Sequence, residues 1–235
     1  MRARLAKALL LSVSLLTWHC AVAQEEPSPQ EPPGKQADTL AEQKPGRMFG
    51  ILPALNVTDA KNARPMTSPQ KLHLAVMSTI DPMCIFGAGV KAGIYQASNF
   101  PEGFGTGASG FGKRYAAAFG DGASSRMLRT GIFPILLHQD PRYFRRQEGS
   151  FSRRLGYALS RTMVTRTDSG RQAVNWSRIL GSFGSAGLSD IYYPPENTGV
   201  GVTFVNVAYS LLAESGTNVL KEFWPDIAKK LRRSR

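Results

Sequence analysis

Apolar positions in this chain recur every three or four residues more often than every second one, which is the spacing of helices rather than strands. Leu72, Val76 and Ile80 share one side of a helix to about Ile80, opened by Ser68 and Pro69, a capping residue with proline at the first helical position. Asp81-Pro82 repeats that signal and predicts a second helix to about Ser98. After a Gly/Pro loop from Asn99 to Gly107, a long central helix is expected from about Thr106 to Arg129, with Pro134 breaking or kinking the run before His138. Asp140-Pro141 marks a short turn through Tyr143 and Phe144. The pattern from Phe151 to about Arg166 reads as helix, with Leu155, Leu159 and Met163 on one face and Arg153, Arg154 and Arg161 turned outward. Ser169-Gly170-Arg171-Gln172 fits a capping box and starts a helix to about Ile191. A last apolar helix covers about Val200 to Ser215, and a turn after Gly216 leads into Phe223-Trp224-Pro225-Asp226.

Small residues add a second pattern. Ala108, Gly112, Ala116, Gly120 and Ser124 fall four apart, as do Ala173, Ser177, Gly181, Ser185 and Ser189, and a shorter row holds Gly89, Gly93 and Ala97. Glycine inside a helix costs about 0.8–1 kcal/mol against alanine, so such rows make sense where another backbone lies against them. The fold predicted is therefore all-α: a compact bundle of about six helices with close Gly/Ala/Ser packing, preceded by a disordered leader. An α+β fold is the alternative if the segments around Val57 or Val200 pair as strands.

Composition changes the picture at the amino terminus. Arg2, Arg4 and Lys7 precede an apolar run from Ala8 to Leu16 and the small-x-small triplet Ala21-Val22-Ala23, the pattern of a secretory signal over residues 1–23. Residues 24–46, rich in Pro, Gln and Glu, read as a disordered tether; residues 47–228 as one helical domain; residues 229–235 as a basic tail. Cleavage after Ala23 would leave Cys84 as the one cysteine, so no intrachain disulfide is expected. No later window holds eighteen uncharged apolar residues, so no spanning helix is expected after the leader. The chain carries a net charge of +12. The leader is basic and the tether acidic, so the part from Arg47 onward holds an excess as large as the whole chain's. An exported basic domain fits an anionic lipid surface or envelope polymer better than nucleic acid.

Catalytic motifs are approached but not completed. Gly105 to Gly110 matches a dinucleotide fingerprint by letter, without a strand before it, and Gly107 to Lys113 matches most of a P-loop, with Arg114 where a Mg²⁺-binding Ser/Thr belongs. Ser68-Pro69-Gln70-Lys71 has the Ser-x-x-Lys spacing but lacks its partner elements. With His73, His138 and one cysteine at no ligand spacing, neither a metal nor a cofactor is predicted. His138 and Asp140 are the candidate acid–base pair. Arg142, Arg145, Arg146, Arg153 and Arg154, interleaved with Tyr143 and Phe144, are the candidate anion-binding face, joined by Lys113 and Arg114 at the start of the central helix.

Gly50-Ile51-Leu52-Pro53, Gln139-Asp140-Pro141-Arg142-Tyr143-Phe144, Asn175-Trp176-Ser177, Tyr192-Tyr193-Pro194 and Glu222-Phe223-Trp224-Pro225-Asp226 together resemble a family of exported bacterial proteins of unknown function. The resemblance covers most of the chain after the leader and implies export; it carries no activity or site residue. The reading that follows is an exported, non-enzymatic envelope protein that meets an anionic membrane or polymer through its basic, aromatic face. The alternative is a periplasmic hydrolase or lipid-modifying enzyme using His138 and Asp140. A homo-oligomer with its small-residue rows between subunits is a third reading.

Overall fold

The computed structural model describes residues 47–48, 52–53, 57–59 and 64–233. The expected signal and tether lie outside the described residues. What is described is an all-α bundle with a few short strands.

Helix α1 (Ser68–Thr79) is capped one residue earlier than expected, at Thr67, whose N–H donates to Gln70 Oε1 at 3.0 Å. Helix α2 (Pro82–Ala97) starts as predicted, with Asp81 Oδ1 accepting the Met83 N–H at 2.8 Å. Helix α3 (Gly107–Arg126) continues through a π-helical turn, Met127–Ile132, into a last turn, Phe133–Leu136. Pro134 therefore does not break the run before Leu136. Its missing N–H and bulky ring are accommodated where the turn ahead of it widens.

Helix α4 (Phe151–Ser160) is shorter than expected, because Val164–Arg166 and Gln172–Val174 pair as an antiparallel hairpin, β5 and β6. Gly170, at φ +84°, makes its turn, so Ser169 to Gln172 is a hairpin loop and not a capping box. The cap of helix α5 (Trp176–Ser189) is Asn175, whose side chain accepts the Arg178 N–H at 3.1 Å. The expected turn at Tyr143 is strand β4 (Tyr143–Arg145), parallel to β3 (Val57–Asp59); β1 (Arg47–Met48) and β2 (Leu52–Pro53) form a further antiparallel pair. Helix α6 (Val200–Arg233) runs through Gly216 and Pro225, replacing the predicted turn and loose tail. Gly216 sits where nothing approaches, while Asn218 and Glu222 are buried, so tertiary contacts carry the helix past its weak positions.

Packing corrects three further expectations. On α1 the buried residues are Lys71, Leu74, Ala75 and Ser78, and Leu72, Val76 and Ile80 face outward. On α2, Ala88 and Ala92 face inward while Gly93 meets nothing. On α3 the row begun by Ala108 and Gly112 is exposed, and Gly120 meets only the Tyr192 ring. The side of α3 that turns inward carries Gly110, Arg114, Ala117 and Ala118.

The predicted row beginning at Ala173 packs only in part: Ala173 lies on β6, while Ser177, Gly181 and Ser189 are buried on α5. A Cβ at Gly181 would lie 3.0 Å from Arg129 Cα and 3.1 Å from Arg129 N, so α5 presses directly on the backbone of the π-helical turn.

The result is a mixed core, in which Leu74, Phe104, Tyr143, Phe144 and Val207 are buried beside charged side chains. Arg114, Lys71 and Glu222 are the largest fully buried side chains. Ile191 is 78 % exposed, Val200 76 %, Phe86 64 % and Ile94 62 %.

Candidate functional site

Glu222 organises the arginine-aromatic cluster. Its carboxylate, fully buried on α6, accepts from Tyr143 Oη at 3.0 Å, from the N–H groups of Arg146 and Gln147 at 3.0 and 2.9 Å, and from Arg154 Nε at 3.1 Å. Arg154 also donates to Asp226 Oδ2 at 2.7 Å and to the Glu222 carbonyl at 2.9 Å. Arg154 therefore points inward, against the expectation from its helix face, and lies over the Phe223 ring at 4.5 Å. Arg166 and Arg142 stack on Phe144, and Arg161 and Arg146 on Tyr157. Burial, then Glu222, raises the Tyr143 phenol well above its usual range and keeps it a donor. The cluster joins β4, α4 and α6; it is an internal strut rather than an open anion-binding face.

Gln139 serves the same end. Its Oε1 accepts from the Ser177 N–H and Oγ at 2.9 and 2.7 Å, and its amide donates to the Val174 carbonyl at 2.7 Å, tying the end of the central helix to α5. Lys71, buried, donates to both Asp168 oxygens at 2.7 Å and to the Pro134 carbonyl at 3.2 Å. These partners account for the Ser-x-x-Lys lysine as a structural residue.

The structure does not bring His138 and Asp140 together. His138 has φ +51° and an 85 % exposed side chain, with Nδ1 3.9 Å from Asp168. Asp140 is 3 % exposed, its carboxylate held by the Arg142 N–H and guanidinium at 2.7–3.0 Å. The cavity beside Asp140 is about 20 Å³, room for one water, and His138 does not line it. Arg142, bonded to Asp140 and to the Arg64 carbonyl, is likewise occupied.

Arg114 also leaves the anion-binding set. Its five N–H donors meet the carbonyls of Phe100, Pro101 and Gly105 and the side chains of Gln96 and Asn99, at 2.6–3.2 Å. It pins the loop before α3. Of the predicted set, Lys113, Arg146 and Arg153 have exposed side chains, and Arg145 lies between buried and exposed on β4.

What the structure does assemble is a polar interior cleft between α2, α3, α5 and α6. Asp121 accepts from Lys91 at 2.9 Å, Tyr192 at 2.8 Å and Tyr193 at 2.9 Å. It separates two cavities, about 420 and 550 Å³, both lined by Lys91, Asp121 and Ser125. Behind them Glu214 meets three cations: Arg129 at 3.1 Å, Arg178 at 3.4 Å and Lys221 at 3.7 Å. Burial alone would raise the Glu214 carboxyl, but Arg178, Lys221 and Arg129 outweigh it and hold it at about 2. The cations fare worse: burial, then Arg178, brings Arg129 down to about 10, and burial lowers Lys221 too. Because the folded value of Glu214 is depressed from 4.5, its contribution is present above about pH 4.5 and lost as pH falls toward about 2. Acid unfolding followed by circular dichroism should therefore show a steeper loss over that window in the parent chain than in Glu214→Gln. Equal slopes would mean that Glu214 is ionised alike in both states.

Sequence reasoning missed Asp121, Glu214, Glu222 and Lys221. Each sits within a helical pattern with no motif around it, and its partners lie up to 85 residues away in the chain, as in the Arg129–Glu214 pair. No protein-family model matches the chain, and neither a characterised protein nor a solved structure is significantly similar to it.

Proposed function

We propose that this chain is an exported, non-enzymatic cell-envelope protein that works at a membrane, with the outer faces of α1 and α2 lying against lipid. The observation that carries this reading is the exposed apolar face of α1 and α2. Each large aliphatic or aromatic side chain left in water forgoes about 1.5–3 kcal/mol of burial, and contiguous exposed apolar surface marks a contact. Leu72, Val76 and Met77 on α1, and Ile80 just after it, continue into Ile85, Phe86, Val90 and Ile94 on α2, all exposed, while the sides facing the bundle carry Leu74 and otherwise small or polar residues. No helix among the described residues is by itself long and apolar enough to cross a membrane; α1 and α2, bent by 46° at their junction, meet that test together. The signal-like leader and the basic excess support the same site of action, with exposed Lys113, Arg146 and Arg153 available to anionic headgroups. The separation of His138 from Asp140 removes the observation that motivated an enzyme.

Flotation of the full chain with phospholipid vesicles tests the reading. Binding should survive high salt, which screens exposed charge, and should fall at least about tenfold in Phe86→Asn/Ile94→Asn, since each change removes the transfer energy of a large apolar side chain. Binding abolished by salt would assign the contact to the basic face instead. Absence of flotation with a concentration-dependent mass would mean that copies of this chain cover the apolar face.

A further inference from the structure

We propose that the larger interior cavity is a binding site for an anionic amphiphile, with a phosphate or carboxylate head held by Arg126 and Lys221 and an apolar tail along α2 and α3. The cavity, about 550 Å³, falls within the range of small-molecule sites.

Its charge is unbalanced. Glu214 is shared by Arg129, Arg178 and Lys221, and Asp121 is matched by Lys91. Arg126 lines the cavity with no hydrogen bond or ion pair among the described residues. Lys91, Arg126 and Lys221 thus line the cavity with Asp121 as the one lining carboxylate among the described residues, and Asp81 caps α2 beside Met83. Removing cations from water without anions to meet them is strongly unfavourable, and one bound anion placed between Arg126 and Lys221 would relieve it through charge-assisted hydrogen bonds.

The remaining wall is apolar. Met83, Cys84, Ala88, Ala118 and Phe119 also line the cavity, which suits a hydrocarbon chain and not a free sugar or nucleotide. Gly87 also lines it, is exposed, and follows Phe86 in the chain, so the mouth adjoins the apolar outer face of α2. A Cβ there would meet nothing within 4 Å, which leaves the mouth open. The source of the ligand as membrane lipid rests on the function proposed above; the head-and-tail chemistry of the cavity does not.

Titration calorimetry on the full chain in neutral detergent tests this, using short-chain phosphatidic acid, phosphatidylcholine with the same chains, and inorganic phosphate. Phosphatidic acid should bind saturably and most tightly, and Arg126→Gln or Lys221→Gln should weaken it about tenfold or more. Arg126→Lys, which keeps the charge, should recover most of the affinity, and Arg126→Gln should still float with vesicles, which separates this site from membrane attachment. Equal binding of the two lipids, or unchanged affinity in Arg126→Gln, would overturn the site. Inorganic phosphate binding as tightly as phosphatidic acid would overturn the tail and make the ligand a free anion.

Discussion

Replacing Glu222 with alanine should cost about 3–5 kcal/mol of folding stability, the range for removing one partner of a buried ion pair. The carboxylate is the common acceptor for the Tyr143 hydroxyl, two backbone N–H groups and Arg154. Its loss leaves the buried Tyr143 hydroxyl and Arg154 Nε without that acceptor, and an unpaired buried donor costs more than a hydrogen bond contributes. At about 2–4 °C per kcal/mol for a domain of this size, the melting temperature should fall by roughly 10 °C. Glu222→Gln, which keeps the shape and one acceptor oxygen, should lose less. Urea titration of both variants measures the difference. A loss under about 1 kcal/mol for alanine would show that Glu222 is not the strut described here.

Two glycine-to-alanine changes should move stability in opposite directions. Helix propensity alone favours alanine by about 0.8–1 kcal/mol at either position. At Gly112 a Cβ meets nothing within 4 Å, so that gain should appear nearly in full. At Gly181 the added methyl would sit 2.6 Å from Arg129 Cγ and 3.0 Å from Arg129 Cα. The side-chain carbon can shift; the backbone of the π-helical turn cannot, and overpacking of this kind costs about 1–3 kcal/mol. Chemical denaturation of the two variants side by side reads the contrast. Stabilisation by Gly181→Ala would mean that α5 is not pressed on that turn.

Local chemistry made the bundle readable and left its faces ambiguous. Asp81-Pro82 announced α2 because a carboxylate cap and a proline act within one turn, and neither needs a distant partner. Leu72, Val76 and Ile80 gave α1 its correct helical spacing but the wrong inward side. Periodicity reports that a face is apolar; it does not report whether that face meets the core or something outside the chain. The same limit misled the row at Ala108 and Gly112. Small residues permit a close approach, but Arg114, with five acceptors waiting in the loop before α3, decided which side of the helix turns in.

The candidate site was less legible than the fold. Arg142, Arg154 and Arg114 stood out by type and crowding, yet each is consumed by partners that a linear reading cannot pair with it. Val164-Thr165-Arg166 and Gln172-Ala173-Val174 read as helix in sequence because each segment is too short to outweigh the helical signals flanking it; only their pairing defines the hairpin.

By itself the sequence determined that this chain is helical, where most helices begin, and that its part from Arg47 onward is strongly basic, because caps, propensities and charge act within a few residues or by simple count. Tertiary structure alone decided that Lys71, Arg114 and Glu222 lie inside while Phe86 and Ile94 lie outside, and that Arg126 and Lys221 line one cavity. Those outcomes depend on contacts between residues far apart in the chain, where a buried charge is tolerated only if its partners arrive from another helix.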